Sequence, residues 1–236
     1  GVLTAEAAEA AAKVVAVEID RKLIPILAET LQEYDNVRII NRDILKTDIN
    51  DVICEERAQG SFSGDVKIMG NLPYYITTPI IMNLLESGVE AESITIMMQK
   101  EVADRIKAEP GNKIYGAISV AVQYYCRVEQ VISVSKEVFV PKPKVDSAVL
   151  KLVIRKERPV EIEDEKCFFA CIKAGFGQRR KTLLNSLTGV CGLNKDEVKE
   201  VLADAGIDPV RRAETLDMKE FAAIANGVTE RGRRWR

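Results

Sequence analysis

Residues 70–75, with the sequence GNLPYY, place a carboxamide, a proline and two tyrosines after a short apolar segment. Such a loop suits methylation of an exocyclic amine on a nucleobase, whose nitrogen is a weak nucleophile because the ring delocalises its lone pair. The side-chain oxygen of Asn71 and the backbone carbonyl of Leu72 would accept both N–H groups and favour a tetrahedral nitrogen. Pro73 would make the turn rigid, and Tyr74 would stack on the base.

The same hexapeptide also fits an ordinary turn between a strand and a helix, with a buried tyrosine. The apolar residues 66–69 before it predict a buried strand, and residues 76–85 after it predict a helix that opens with Thr77, Thr78 and Pro79. The motif alone leaves both interpretations open.

Two acidic residues follow neighbouring predicted strands. Glu18 ends the β-branched run at residues 13–19, and Asp43 follows the run at residues 37–40. Ligands of α/β sheets bind at the carboxyl ends of parallel strands, where Asn71 is also expected. Glu18 would bond ribose hydroxyls and Asp43 an adenine amino group, which predicts a nucleoside-containing cofactor beside a target amine. Each acid alone also fits a solvated strand end.

Basic residues form local clusters although the net charge is −2. In the segment FVPKPKVDS, at residues 139–147, Phe139 could face Tyr74 across a base, while Lys142 and Lys144 suit phosphate. The alternative for this segment is a hairpin connection with a core phenylalanine. Its two prolines predict an extended loop in either case.

Three consecutive cations, Arg179, Arg180 and Lys181, occur at the predicted start of a helix spanning residues 180–187. Cations there oppose the helix dipole, so phosphate contact explains them better than helix stability. The basic tail RGRRWR, at residues 231–236, fits either a solvated terminus or an RNA contact.

The composition, 47% hydrophobic and 30% charged, predicts a folded protein with a substantial core. The five cysteines form no CxxC pair and there is no histidine, so we expect buried free thiols in a reducing cytoplasm and no metal site. No signal peptide, transit peptide or membrane-spanning segment is recognised in the sequence.

Apolar strand-like runs alternate with amphipathic helices up to about residue 157, and only helical periodicity follows. This alternation predicts an α/β fold with a mostly parallel sheet, helices on both faces, and the last two strands paired antiparallel at one edge. Beyond that sheet we expect a small all-helical domain.

Five motifs, in order along the chain, resemble those of the KsgA-type ribosomal RNA adenine dimethyltransferases. They are VVAVEID (14–20), RDIL (42–45), GNLPYYITTPI (70–80), FVPKPKVDSAV (139–149) and FGQRRKTLLNSL (176–187). The resemblance implies a Rossmann-like class I methyltransferase sheet plus a small all-helical C-terminal domain. It implies an S-adenosylmethionine-dependent methyltransferase domain at residues 1–157 and a helical RNA-binding domain at residues 158–236.

The resemblance further implies transfer of methyl groups from S-adenosylmethionine to N6 of two adjacent adenines, in the 3′-terminal hairpin of small-subunit (16S) rRNA. The substrate would be the assembling 30S particle, and the enzyme would be a cytoplasmic monomer without a metal or a membrane partner.

The matching motifs carry the family's functional residues onto this sequence. The catalytic set would be Asn71, Leu72, Pro73, Tyr74 and Phe139. The cofactor-binding set would be Gly1, Glu18, Ile19, Asp43, Ile44 and Asn71. The RNA-binding set would be Lys142, Lys144, Arg179, Arg180 and Lys181.

One departure from the family concerns the start of the chain. The family has a first strand and a GPGxG loop there, and only Gly1 matches the end of that loop, so we expect the first strand and most of the loop to be missing from this sequence. Two alternatives remain: a large-subunit (23S) rRNA adenine methyltransferase of the macrolide-resistance type, and a non-catalytic RNA-binding ribosome assembly factor.

Overall fold

The computed structural model describes residues 1–234, with side chains described through residue 232, and it divides into two compact units. The first unit comprises Gly1–Ile68 and Pro73–Glu92. The second comprises Met69–Leu72 and the chain from Ser93 onward. Within the described residues, no helix is both long and apolar enough to cross a membrane.

The first unit contains a pair of parallel strands, β1 (Val14–Glu18) and β2 (Val37–Asn41). Valine and isoleucine make up three of the five residues in each strand, and their branched side chains pack well on a pleated backbone. The register pairs Glu18 with Asn41, so the carboxyl ends of both strands lie at one edge. The helices of this unit are α1 (Val2–Ala10), α2 (Leu23–Thr30), α3 (Ile49–Ala58) and α4 (Thr77–Glu86).

The second unit contains a mixed sheet with the strand order β3–β4–β6–β5. Strand β6 runs antiparallel to both β4 and β5. Alternate residues of β4, namely Ile94, Ile96 and Met98, are buried because successive side chains of a strand point to opposite faces. The strands are β3 (Lys67–Asn71), of which residues 69–71 belong to this unit, β4 (Ser93–Gln99), β5 (Cys126–Val134) and β6 (Ser147–Ile154).

Helices make up the rest of the second unit, and only helices and turns follow β6 in the part of the chain that is described. Asn194 caps α9, since its Oδ1 accepts from the backbone N–H groups of Asp196 and Glu197 at 2.9 and 3.1 Å. The helices are α5 (Lys100–Lys107), α6 (Ala117–Tyr125), α7 (Glu165–Gly177), α8 (Leu183–Leu187), α9 (Lys195–Asp204) and α10 (Met218–Arg234).

The predicted α/β fold is confirmed, while some details of the elements differ. Residues 44–46 form a 3-10 turn separate from α3, because the Asp48 carboxylate accepts from the backbone N–H groups of Asn50 and Asp51 and starts a new helix. The antiparallel pairing of β6 with β4 makes the sheet mixed, where a mostly parallel one was predicted. The domain division near residue 157 stays a prediction.

A buried carboxylate, that of Glu56, connects α3 to β2. Only 2% of its side chain is exposed, and Arg38 donates to Oε1 at 2.7 Å. The Nζ of Lys13 lies 3.6 Å from Oε2. The hydrogen bond from Arg38 holds the pKa of Glu56 below its usual value, against the opposing effect of burial. The charged form of Glu56 therefore stabilises this unit.

The substitution Glu56→Gln should lower the free energy of unfolding by about 1.5–3 kcal/mol at about pH 7, because it removes a charged acceptor from a buried hydrogen bond. The folded pKa lies below the unfolded one, so this stabilisation is present above the unfolded pKa and is lost as pH falls through the folded pKa. Urea unfolding at about pH 7 and about pH 3 should show the difference between the proteins shrinking in acid.

The matched control is Glu55→Gln, since Glu55 contacts the same Arg38 at 3.3 Å but keeps 55% of its side chain exposed. We expect a change within about 0.5 kcal/mol for this variant. Equal losses in the two variants would contradict the role given to burial.

Candidate functional site

The carboxyl-end edge of β1 and β2 carries Glu18 in a fixed position. The side-chain Nδ2 of Asn41 donates to the carbonyls of Glu18 at 2.8 Å and Ile19 at 3.3 Å, which ties the end of β1 to the end of β2. The backbone N–H of Asp20 donates to Glu18 Oε1 at 2.8 Å. The Glu18 carboxylate is therefore oriented by a local turn, and Ile19 beside it is 65% exposed.

Asp43 lies two residues beyond the end of β2 and is half-buried. Its Oδ1 accepts from the backbone N–H of Leu45 at 3.0 Å, and its carbonyl accepts from the Thr47 hydroxyl at 2.8 Å. These bonds fold the 3-10 turn that contains Ile44. The structure thus places Glu18 and Asp43 at the same edge of the β1–β2 pair, as the sequence predicts for these two residues.

The carboxamide of Asn71 is exposed at the end of β3. Within residues 1–234, its side chain forms no hydrogen bond, which leaves an acceptor and two donors for a ligand. Just before it, a Cβ on Gly70 would meet the side chain of Leu72 at 3.1 Å, so the absence of a side chain at Gly70 lets Leu72 pack against the strand. The predicted convergence of Asn71 on Glu18 and Asp43 stays a prediction.

The turn after this strand is fixed by the carbonyl of Pro73. It accepts from the backbone N–H of Ile76 and from the hydroxyl of Thr77, both at 3.1 Å. Thr77 is buried and is the first residue of α4. Tyr74 is half-buried, whereas the next residue, Tyr75, is 86% exposed. Two short-range bonds thus set the backbone that presents Tyr74.

The segment that carries Phe139 is held at both ends by Asp146. The carboxylate of Asp146 accepts from the backbone N–H of Lys136 at 3.0 Å, and its carbonyl accepts from that of Lys100 at 2.9 Å. Phe139 is half-buried and follows a 3-10 turn, and Lys142 pairs with Glu137 at 2.5 Å. Between the 3-10 turn and β6, residues 139–146 form a loop of bends without helix or strand.

Lys144 lines an open recess of about 430 Å³ in the second unit. Two further lysines contribute to it, Lys100 and Lys136, which the sequence analysis did not assign. Three acids also line it, so the recess as a whole is not strongly basic. The remaining lining residues are Glu101, Asp104, Ile114, Val145 and Asp146.

The three consecutive cations lie in a turn before α8, so the prediction that a helix begins at Arg180 is wrong. The helix begins at Leu183, because the backbone N–H groups of Leu183 and Leu184 donate to the carbonyls of Arg211 and Pro209 at 2.8 and 3.2 Å. These partners are distant in sequence, and local periodicity could not reveal them. The helix-dipole argument for the cations loses its basis.

The cations of this turn have different environments. Arg179 donates through NH2 to the carbonyls of Lys113 at 2.7 Å and Tyr115 at 3.4 Å, so it fastens the turn to another loop of the second unit. Arg180 and Lys181 are exposed and form no ion pair in the described part of the chain. Only these two side chains are therefore presented to solvent without a protein partner.

The two chain ends complete the placement of the predicted residues. Gly1 precedes α1, and a Cβ there would meet the side chains of Leu27 and Thr30 at 3.2 Å. In the basic tail, Arg231 pairs with Glu200 and Asp204 on α9 at 2.6 and 2.7 Å. Positions 235 and 236 of that tail lie outside the described residues.

Sequence reasoning missed one residue that orients the site, Asn41, which fixes the end of β1. The available signal was a polar residue ending a strand, and its partners became clear only from the register. Across residues 1–234, no group of three or more histidine, cysteine, aspartate or glutamate side chains is arranged to hold a metal ion.

The chain matches known families and structures over nearly its full length. The family model described as ribosomal RNA adenine dimethylase matches residues 1–229. A protein of Clostridioides difficile (strain 630) named ribosomal RNA small subunit methyltransferase A is 52% identical over 226 residues, 96% of this chain and 77% of that protein. A protein of the same name from Geobacillus thermodenitrificans (strain NG80-2) is 52% identical over 231 residues, 97% of this chain and 78% of that protein.

Two solved structures share the fold at low sequence identity. A dimethyladenosine transferase from Plasmodium falciparum has a TM-score of 0.77 and 23% identity, covering 95% of this chain and 84% of that one. The 23S rRNA methyltransferase ErmE has a TM-score of 0.68 and 24% identity, covering 97% of this chain and 87% of that one. With the family match and the close relatives, the predicted family and enzyme class are confirmed: the chain belongs to the ribosomal RNA adenine dimethylase family.

Proposed function

We propose that this protein transfers methyl groups from S-adenosylmethionine to N6 of two adjacent adenines in the 3′-terminal hairpin of small-subunit rRNA. The observation that carries the proposal is the exposed Asn71 carboxamide at the end of β3, followed by the rigid turn at Pro73. Relatives at about half identity named small subunit methyltransferase A support the small subunit over the large one.

Asn71 and Leu72 would activate the target amine without a general base. Their carbonyl oxygens accept the two N–H groups, which turns the nitrogen lone pair away from the ring and towards the incoming carbon. S-adenosylmethionine, when bound, supplies an electrophilic methyl group on a sulfonium. The N–C bond would form as the methyl–sulfur bond breaks, and the amine proton would stay hydrogen-bonded at Asn71 Oδ1 before it leaves to water. After one methyl is added, a single N–H remains and one acceptor still suffices.

The edge of the first unit has the chemistry that the nucleoside part of the donor requires. Glu18 and Asp43 each use one carboxylate oxygen for a backbone N–H, which fixes the group and leaves a second oxygen to accept from a ligand. Glu18 would hold the ribose hydroxyls and Asp43 the adenine amino group. Ile19 and Ile44 beside them would give apolar contacts to the adenine ring, and Gly1 would allow close backbone approach.

Tyr74 and Phe139 would stack on the two faces of the flipped adenine. Both side chains are half-buried. Stacking of this kind contributes about 1–3 kcal/mol per base. Extrusion of the target adenine is required because its amino group is not reachable inside a stacked helix.

RNA backbone contacts would come from four exposed cations, Arg180 and Lys181 in one turn and Lys142 and Lys144 in another. Arg179 would act differently from these, since its guanidinium is bonded to protein carbonyls and so positions the turn. Phosphate contacts of this type orient the substrate without reading its sequence.

Replacing Asn71 with alanine should reduce methyl transfer about 100- to 1000-fold, because it removes a polar group that stabilises the transition state. Binding of small-subunit rRNA should persist. Methyl incorporation and filter binding measure the two properties, and Asn83→Ala on the exposed face of α4 is the matched control. Unchanged methyl transfer in Asn71→Ala would exclude the proposed role of this carboxamide, whereas RNA binding without methyl transfer by the unsubstituted protein would favour a non-catalytic assembly factor.

The double variant Arg180→Ala with Lys181→Ala should weaken rRNA binding and reduce the salt dependence of the affinity by about two phosphate contacts. Arg179→Ala should instead lower thermal stability, since it removes bonds to two backbone carbonyls. Titrations at several salt concentrations measure the slope, with Lys199→Ala on α9 as the exposed control. A slope unchanged in the double variant would remove these two residues from the RNA interface.

Incubation with isolated ribosomal subunits should place dimethyladenosine on two adjacent residues of the small-subunit rRNA and none on the large-subunit rRNA. The physical reason is that the turns bearing Lys144 and Lys181 have to match the shape of one RNA hairpin. Mass spectrometry of digested rRNA locates the modified residues. Methylation of large-subunit rRNA alone would replace this substrate with that of the macrolide-resistance enzymes.

A further inference from the structure

Three of the five cysteines lie together in the second unit. Cys167 and Cys171 are buried one turn apart on α7, while Cys191 is exposed in the 3-10 turn Val190–Gly192. The Sγ of Cys191 lies 3.4 Å from the Sγ of Cys167. The exposed thiol of Cys191 is therefore in contact with the buried thiol of Cys167, although the two residues lie 24 positions apart in the sequence.

The surroundings of Cys167 favour its thiolate. A hydrogen bond from Cys171 lowers the pKa of Cys167, and Thr229 and Cys191 act in the same direction against the effect of burial. The same hydrogen bond, together with burial, raises the pKa of Cys171. Cys167 is thus the better nucleophile of the two buried thiols, and as a thiol its Sγ donates to the carbonyl of Ala225 at 3.6 Å.

The backbone brings Cys191 to this position in an uncommon conformation. Cys191 has φ +51° and ψ +25°, in the left-handed region that residues with a Cβ seldom adopt. The flanking Gly189 and Gly192 also have positive φ, and the N–H of Gly189 donates to the carbonyl of Leu193 at 2.8 Å. The tight loop therefore fixes Cys191 against α7.

We propose that Cys191 and Cys167 form a reversible disulfide when the protein meets a peroxide. Hydrogen peroxide first oxidises the exposed Cys191 thiol to a sulfenic acid, with one water released. The Cys167 thiolate then attacks the Cys191 sulfur, forming the S–S bond and expelling hydroxide, which takes up a proton as water. The two thiols lose two electrons and the peroxide gains them. The sulfurs have only about 1.4 Å to move from 3.4 Å to the length of a disulfide.

This bond would close a loop between residues 24 positions apart in the sequence. The turn of Arg179, Arg180 and Lys181 lies inside that loop. Closing it restricts the unfolded chain more than the folded one, so oxidised protein should be more stable, and a thiol reductant should reverse the change.

Peptide mapping by mass spectrometry, after brief treatment of the folded protein with hydrogen peroxide, tests the proposal directly. We expect a linked peptide pair containing Cys167 and Cys191, lighter by two hydrogens, and its disappearance after reduction. Cys126 should stay a thiol, because burial raises its pKa to about 12. Free thiols at Cys167 and Cys191 while the exposed Cys54 is oxidised would overturn the proposal.

Two variants separate the link from general oxidation. Cys191→Ser should abolish the linked pair and the rise of several degrees in melting temperature that oxidation gives. Cys54→Ser, which removes an exposed cysteine of the first unit, should retain both. Equal melting temperatures for the oxidised and reduced forms of the Cys54→Ser protein would contradict a disulfide inside the chain.

Discussion

The in-register pairing of two parallel strands is the constraint on which the arrangement of Glu18, Ile19 and Asp43 at the carboxyl-end edge of β1 and β2 depends. Parallel hydrogen bonding sets Glu18 opposite Asn41, so the residues that follow both strands must lie at one edge. Asn41 then bonds across to the carbonyls of Glu18 and Ile19 and fixes their direction. A slip of one residue would send Glu18 to the other face and would break this contact.

A second constraint is the turn that leads out of β3. The carbonyl of Pro73 accepts from the backbone N–H of Ile76 and from the buried hydroxyl of Thr77, so two hydrogen bonds fix its direction. The ring of Pro73 fixes one backbone torsion of the turn. Gly70 has no side chain that would clash with the side chain of Leu72. Such rigidity would serve the proposed action of Asn71 and Leu72 as hydrogen-bond acceptors, because acceptors stabilise a transition state best when they need not reorganise.

The sequence pattern predicted those features that depend on residues close together in the chain. The branched residues of β1 and the acid at its end could both be recognised from spacing and residue type. The start of α8 could not, because carbonyls of Arg211 and Pro209 set it from elsewhere in the chain. The different role of Arg179 and the meeting of Cys191 with Cys167 likewise depend on contacts between residues far apart in sequence.

A net charge of −2 is compatible with RNA as substrate. The reason is that replacing the exposed ion pair of Lys142 with a lysine–phosphate contact would cost little free energy. Lys142 pairs with Glu137, and both side chains are more than half exposed. An exposed pair of this kind contributes about 0–1 kcal/mol, so a phosphate can replace Glu137 with little loss. Arg180 and Lys181 need no exchange at all. At a net charge of −2, long-range attraction to other nucleic acids is weak, so in the proposed function affinity would come from the few sites where cations and base-stacking rings act together.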